Sequence, residues 1–225
     1  MLSKQTARKN SGFSLIELLT ALAINVILFA GLIGIFLSNI NHYRESINTN
    51  RLEQQLQTAM MIMSDEIRRA GYWANAQDDI GSGANNNPFM ATGVDITVGS
   101  GGSCILLAYD ANNNGSLPGI SSSTDDERYG FRLSGNILQT RPPGAPYDCA
   151  TAASNWENIT NPNVIEVTAL SFTLNSATIA TGPGAKSLIQ RSVDISLTGR
   201  LTSDNSIIKT ITKHVRIMND KFTSE

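Results

Sequence analysis

The side chains that could do chemistry fall into a few groups. Glu17 stands at the threshold of a long apolar run. Cys104 and Cys149 are the two cysteines, Asp110, Asn112 and Asn114 recur at alternate positions before Gly115, and His42 and His214 are the two imidazoles. A carboxylate entering a low-dielectric medium must be neutralised or find a cation, because an isolated charge there is expensive. Alternate oxygen-bearing side chains followed by glycine fit the first half of the D-x-D/N-x-D/N-G calcium loop, in which they converge on one cation and the glycine makes the turn. The twelfth position is Ser121 instead of glutamate, so a bidentate carboxylate would have to come from Asp125, Asp126 or Glu127. The candidate calcium set is therefore Asp110, Asn112, Asn114 and Glu127. An Asn/Gly-rich turn between strands accounts for the same residues without metal, and the sparse acidic ligands favour it. No other cofactor is indicated.

The remaining polar residues suggest no active site. His42 falls just beyond the apolar run, and His214 falls in a strand pattern near Lys213 and Arg216, so solvated or interfacial positions explain both. The charges of Asp125, Asp126, Glu127 and Arg128 read as a solvated loop. There is no nucleophile elbow, no phosphate-binding loop and no paired-histidine metal motif. Nor is there the clustered basic face that nucleic-acid binding normally shows.

Residues 18–37 position Glu17. Their only hydrogen-bonding side chains are those of Thr20 and Asn25, and no formal charge follows until Arg44. At ~1.5 Å per residue this run makes ~30 Å of helix, enough to cross a bilayer core. Lys4, Arg8 and Lys9 precede it and favour a cytoplasmic amino terminus, which places everything after the helix outside the inner membrane. That compartment is oxidising and suits a disulfide between Cys104 and Cys149, with two free buried thiols as the alternative.

The helix continues past the membrane. Ile40, Tyr43, Ile47, Leu52, Leu56, Met60, Met63, Ile67 and Ala70 recur at steps of three to five, and no proline interrupts residues 13–71. The spacing predicts one helix over 13–71, with an amphipathic second half laid against a head. Arg68 and Arg69 suit its last turn, and Gly71 suits its cap. Tyr72 and Trp73 read as core packing, and the Gly/Asn/Ser-rich stretch 75–103 as a long surface connection.

Strand patterns dominate the rest: residues 104–109, a hairpin of 129–133 and 136–140 around Ser134-Gly135, then 164–174. The alternation of Val193, Ile195 and Leu197 pairs with 207–218 across a turn at 203–206. The fold class is α+β: a long amino-terminal helix, half membrane anchor and half amphipathic, packed on an antiparallel β-sheet head. The domains read as leader 1–12, helix 13–71 with its transmembrane part at 18–37, and β-rich head 72–225. The full chain carries net charge −2; losing Lys4, Arg8 and Lys9 with the leader leaves 14 basic against 19 acidic side chains, net −5.

A basic head, then Gly12, then Phe13-Ser14-Leu15-Ile16-Glu17-Leu18-Leu19 and an apolar helix, resembles the type IV prepilin signature. In that family a membrane aspartyl peptidase cuts after the glycine and the new amino terminus is methylated. The resemblance implies processing between Gly12 and Phe13, with Phe13 as the mature first residue. Glu17 then falls at mature position five, where the family keeps a glutamate for assembly. The free amino group of Phe13, its own or a neighbour's, is the cation nearest to it, and such pairing would favour one axial register between helices.

Beyond the signature, Asp65-Glu66-Ile67-Arg68-Arg69-Ala70-Gly71-Tyr72-Trp73, Tyr109-Asp110 and Glu127-Arg128-Tyr129-Gly130-Phe131-Arg132-Leu133 look like the PilW-type minor pilins. Gly34, at mature position 22, departs from the helix-breaking proline of many major pilins. The resemblance implies a minor pilin that primes or supports assembly of a type IV pilus near its tip. Its implied partners are the prepilin peptidase, other minor and major pilins, the inner-membrane assembly platform and an adhesin-like tip protein. Its implied location is the inner membrane, with the head in the periplasm, and then the filament at the cell surface. A J-type pseudopilin of type II secretion would have the same anchor and a similar head. A membrane-anchored periplasmic enzyme is the alternative of another class.

Overall fold

The computed structural model describes residues 12–79, 86–99, 101–119, 125–149, 155–180 and 186–224. The leader expected over 1–12 lies outside these apart from Gly12, as does Ser121 of the calcium motif. One helix, α1, spans Leu15–Arg69. The chain forms two compact units, Met1–Ile47 and Asn48–Glu225, so α1 contributes its first part to one and its last part to the other.

Within the second unit, the last part of α1 turns a single apolar stripe inward. Leu52, Leu56, Ala59, Met60, Met63, Ile67 and Ala70 are buried, whereas Met61 and Ile62 on the other side are exposed. The stripe expected from Ile40 onward is buried only from Leu52. Tyr43 and Ile47 fall in the first unit and are exposed. Gly71 ends the helix at φ +74°, a left-handed conformation that costs glycine nothing. Its amide donates to Ala108 O at 2.8 Å, so the cap is also a tie to the sheet.

Two antiparallel sheets cover the stripe. The first has the order β1 (Thr97–Val98), β2 (Cys104–Ala108), β3 (Arg128–Ser134), β4 (Ile137–Thr140) and β5 (Glu157–Asn158). The second is formed by β6 (Ile165–Ala180), β7 (Lys186–Leu201) and β8 (Ile208–Arg216), with β9 (Lys221–Ser224) also paired to β7. One core takes Leu56, Met63 and Ile67 from α1, Ile105, Leu107 and Phe131 from the first sheet, and Val167, Phe172, Ile195 and Leu197 from the second. Helix and sheet approach closely at Gly199, where a Cβ would stand 2.9 Å from Leu56 Cδ2 and 3.2 Å from Glu166 O.

The α+β class and the antiparallel pairing agree with the expectation from sequence. The β3–β4 turn is Gly135-Asn136, with both residues at positive φ, so β4 starts one residue later than the pattern suggested. The stretch 75–103 is more than a connection. Asn87 caps a 3-10 turn, Pro88–Met90, by accepting from Phe89 N, and its Nδ2 donates to Gly71 O; Phe89, Met90 and Ile96 are buried. Burial of those apolar side chains outweighs the polar composition around them. β6 and β7 each run 16 residues, six beyond the last expected residue of the first of them.

Cys104 and Cys149 form a disulfide, closing a separation of 45 residues between β2 and the proline-rich loop after β4. Replacing Cys149 by serine should lower stability by roughly 4 kcal/mol in the chain-entropy account, seen as a lower denaturation midpoint with β content retained. Leu56→Ala should cost about 2–5 kcal/mol because the cavity opens between helix and sheet. Met61→Ala, on the exposed side of the same helix, should stay within about 0.5 kcal/mol, and chemical denaturation of the pair measures the difference.

Candidate assembly site

At the start of the described chain Gly12, Phe13 and Ser14 are non-helical and exposed, with Phe13 91% accessible. A peptide bond between Gly12 and Phe13 therefore lies in open backbone rather than in the helix. Leu18 N donates to Ser14 O at 3.1 Å, which starts α1, and Ser14 N donates to Glu17 Oε2 at 2.9 Å. This is the return half of a capping box: the carboxylate three residues into the helix satisfies an amide that the helix leaves without a partner. The Ser14-x-x-Glu17 spacing is the sequence signal for this cap.

Past Glu17 the helix closes off its own polar groups. Thr20 Oγ1 donates to Ile16 O and Glu17 O, each at 3.0 Å, and Asn25 Nδ2 donates to Ala21 O at 2.8 Å. Both side chains bond back onto their own helix. What remains outward is apolar on every side, from Leu15 through Leu22, Val26, Phe29 and Ile33 to Leu37, all exposed. Among the described residues this is one helix long and apolar enough to cross a membrane.

The other candidates lie in the second unit. Asp110 is buried; its Oδ1 accepts from Asn114 N, and its Oδ2 accepts from Ala74 N and Gly115 N, both at 3.0 Å. Asn112 Oδ1 accepts from Asn114 N and Asn114 Oδ1 from Ser116 N. Glu127 Oε1 accepts from Ala111 N at 2.7 Å and Asn112 N at 3.0 Å. The structure thus brings Asp110 and Glu127 to one loop, where both Asp110 oxygens and Glu127 Oε1 serve backbone amides, while Glu127 Oε2 is buried without a hydrogen-bond partner among the described residues. Among the described residues no group of three or more His, Cys, Asp or Glu side chains converges as a metal site. Tyr72 and Trp73 are not core residues. They hold this same loop, Tyr72 Oη donating to Asn113 Oδ1 and Trp73 Nε1 to Gly115 O.

The segment expected as a solvated loop is instead buried at Asp126, Glu127 and Arg128. Asp126 Oδ2 accepts from Arg141 Nη2 at 2.6 Å and Gly144 N at 2.9 Å, while its Oδ1 accepts from Arg128 Nη1 at 3.1 Å. Arg141 also donates to the carbonyls of Arg128 and Ala145. One carboxylate thereby orders two strands and the proline-rich loop. Arg141 follows β4 at the edge of a Pro/Gly cluster, and composition alone gave no sign of its pairing. A second unforeseen network joins helix to sheet. Tyr109 Oη donates to Glu66 Oε2 at 2.6 Å, Tyr109 stacks on Tyr129 at 4.4 Å, and Arg69 lies over Tyr109 while pairing with Glu66.

His214 is exposed and holds Asp194 at 2.6 Å, as its solvated reading implied; the imidazole, then Asn175, keep the Asp194 carboxyl below the ordinary range. A concavity of about 280 Å3 beside this pair is lined by polar residues including Gln190, Ser192 and Arg216. Among the described residues the hydrogen bond at His214 runs to Asp194, and Ser176 and Ser192 line the same concavity.

Against this geometry stand two family profiles. The Prokaryotic N-terminal methylation motif matches residues 7–33, and Prepilin peptidase-dependent protein B matches residues 45–217, most of the chain. The chain belongs to the prepilin peptidase-dependent protein B family. A relative of that name from Escherichia coli (strain K12) is 28% identical over 160 residues, covering 70% of this chain and 74% of its own length. No solved structure matches. Membership in a pilin-type family agrees with the prepilin signature read at Gly12, Phe13 and Glu17. It fits an anchor helix whose outward surface is apolar and a head whose buried carboxylates hold structure.

Glu127 provides a pH test of that last point. Burial raises its carboxyl above the ordinary 4.5, against the lowering effect of the Asn112 and Ala111 amides. The folded head then binds this proton more tightly than the unfolded chain. The contribution is complete below the unfolded value and is lost as pH rises through the raised folded one. Glu127→Gln should flatten the fall in melting temperature across that window, as thermal melts at stepped pH would record.

Proposed function

We propose that this chain is a minor pilin of a type IV pilus, a structural subunit without catalytic activity that primes or supports filament assembly near the tip. The single observation that carries the reading is the junction itself. An open Gly12–Phe13 bond is followed by a capped helix whose first acidic residue is Glu17 and whose outward surface is then apolar. Prepilin peptidase would cut after Gly12; the name of the E. coli relative calls that protein prepilin peptidase-dependent. The apolar helix would wait in the inner membrane with the head in the periplasm. Moving into a filament would exchange lipid for neighbouring helices without exposing that surface to water.

Glu17 would then select axial register by pairing with the amino group of Phe13 on an adjacent subunit. The partners that follow are the peptidase, the membrane platform, and other minor and major pilins, with an adhesin-like protein at the tip. The loop of Asp110, Asn112, Asn114 and Glu127 would act within this reading as a rigid turn.

Gene deletion should abolish twitching motility and leave protein secretion intact. Loss of secretion with motility retained would instead assign the chain to a type II secretion pseudopilin. Glu17→Ala should leave the head's melting temperature unchanged and reduce recovery of the subunit in sheared filaments by an order of magnitude. Wild-type recovery of this variant would remove the assembly role of Glu17.

A further inference from the structure

The β6–β7 hairpin runs past the core. From Asn175 to Ile179 every residue of β6 is exposed, so this part of the strand has water on both faces. Its inner edge pairs with β7 in the register Asn175 to Ser192, Ala177 to Gln190 and Ile179 to Leu188. In an antiparallel ladder the amides of the intervening residues point the other way. Phe172 shows this directly, since its amide leaves the sheet to donate to Gly102 O at 2.7 Å. Nearer the strand's start Val167 N is likewise taken by Asn136 O. After Phe172 the next outward amides are those of Leu174, Ser176 and Thr178, and among the described residues no acceptor meets them.

This edge lacks the usual guards. Strand edges are commonly protected by charge, proline or a covering element. β8, the opposite edge, carries Lys209, Lys213, His214 and Arg216, whereas residues 174–180 of β6 read Leu-Asn-Ser-Ala-Thr-Ile-Ala with neither charge nor proline. The face beside the bare edge is apolar at the same level. Ile179, Leu188 and Phe222 are directly opposite one another across β6, β7 and β9, so they form one row, with Ile179 44% and Phe222 57% exposed.

We propose that the outer edge of β6 from Leu174 to Ile179 is a docking site for an extended strand of another filament subunit. The strand pairs with the amides and carbonyls of Leu174, Ser176 and Thr178. An unpaired ladder edge with donors at every second residue is complementary to a strand, and addition of one is an established mode of recognition. The incoming segment is uncharged, because a charge there would meet no partner along the edge. It places an apolar side chain next to Ile179, which lengthens the exposed row from three strands to four. The proposal rests on the reading of this chain as a filament subunit.

Hydrogen exchange resolved to single amides tests it, on the full chain in detergent and on the same chain extracted from membranes in complex with co-expressed pilin-like subunits. In the isolated chain Leu174, Ser176 and Thr178 should exchange fast and Asn175, Ala177 and Ile179 slowly. In the complex the three fast amides should gain about 100-fold protection, erasing the alternation. A complex that contains the chain but leaves those amides fast overturns the docking site alone. A chain that enters no complex overturns both the site and the filament reading. Ser176→Pro, which removes an outward donor and no bond to β7, should keep the wild-type melting temperature and lower complex yield at least about tenfold. Wild-type yield from this variant would also overturn the site.

Discussion

Between Leu52 and Ala70 a single apolar stripe has to be kept from water, and both sheets take their places from it. A helix of this length gains little from its own propensity; its order in the head comes from the surface it hides. The first sheet offers Ile105, Leu107 and Phe131 to the stripe, the second Val167, Ile195 and Leu197. Gly199 lets β7 come close enough for Leu56 to seat against backbone, and Gly71 turns the chain so that the helix end is tied to β2. The disulfide and the Asp126 hub then fix loops onto a frame that the stripe has already set.

Much of this frame was legible because periodicity reports burial. The stripe from Leu52, the strands β2, β3, β4 and β8 and the approximate places of the two turns are local patterns that followed from spacing or turn chemistry, whereas β1, β5 and β9 carried no pattern read as a strand. What was hidden depends on partners far apart in sequence. Asp126 and Arg141 are 15 residues apart and neither sits in an apolar pattern, so their burial could be recognised only once both were placed. Tyr72 and Trp73 looked like core because aromatic side chains usually are, yet each has a polar tip that found the 110–116 loop. The outer half of β6 escaped for the opposite reason. Asn175, Ser176 and Thr178 carry no apolar alternation, and the strand there is held by the backbone ladder with β7 instead of by a core.

The head uses its acids inward. Asp110, Asp126 and Glu127 would ordinarily be sought at a surface or an active centre, but here they collect amides and guanidinium groups, mostly from the loops between strands. Buried carboxylates with several donors are a compact way to order irregular backbone, since each oxygen can accept more than one hydrogen bond. The candidate site is thus split along the chain: the junction and the first part of its helix belong to the first unit, while the head's carboxylates belong to the second and maintain its shape.

The bond from Ser14 N to Glu17 bears on the assembly role proposed for that carboxylate. In the single chain the carboxylate is not an empty hand waiting for a neighbour's amino group; it already holds the amide that begins its own helix. In the proposed pairing between subunits Oε1 would take the neighbour's amino group while Oε2 keeps this local bond. The helix start would then hold the carboxylate in one orientation before and after the neighbour arrives.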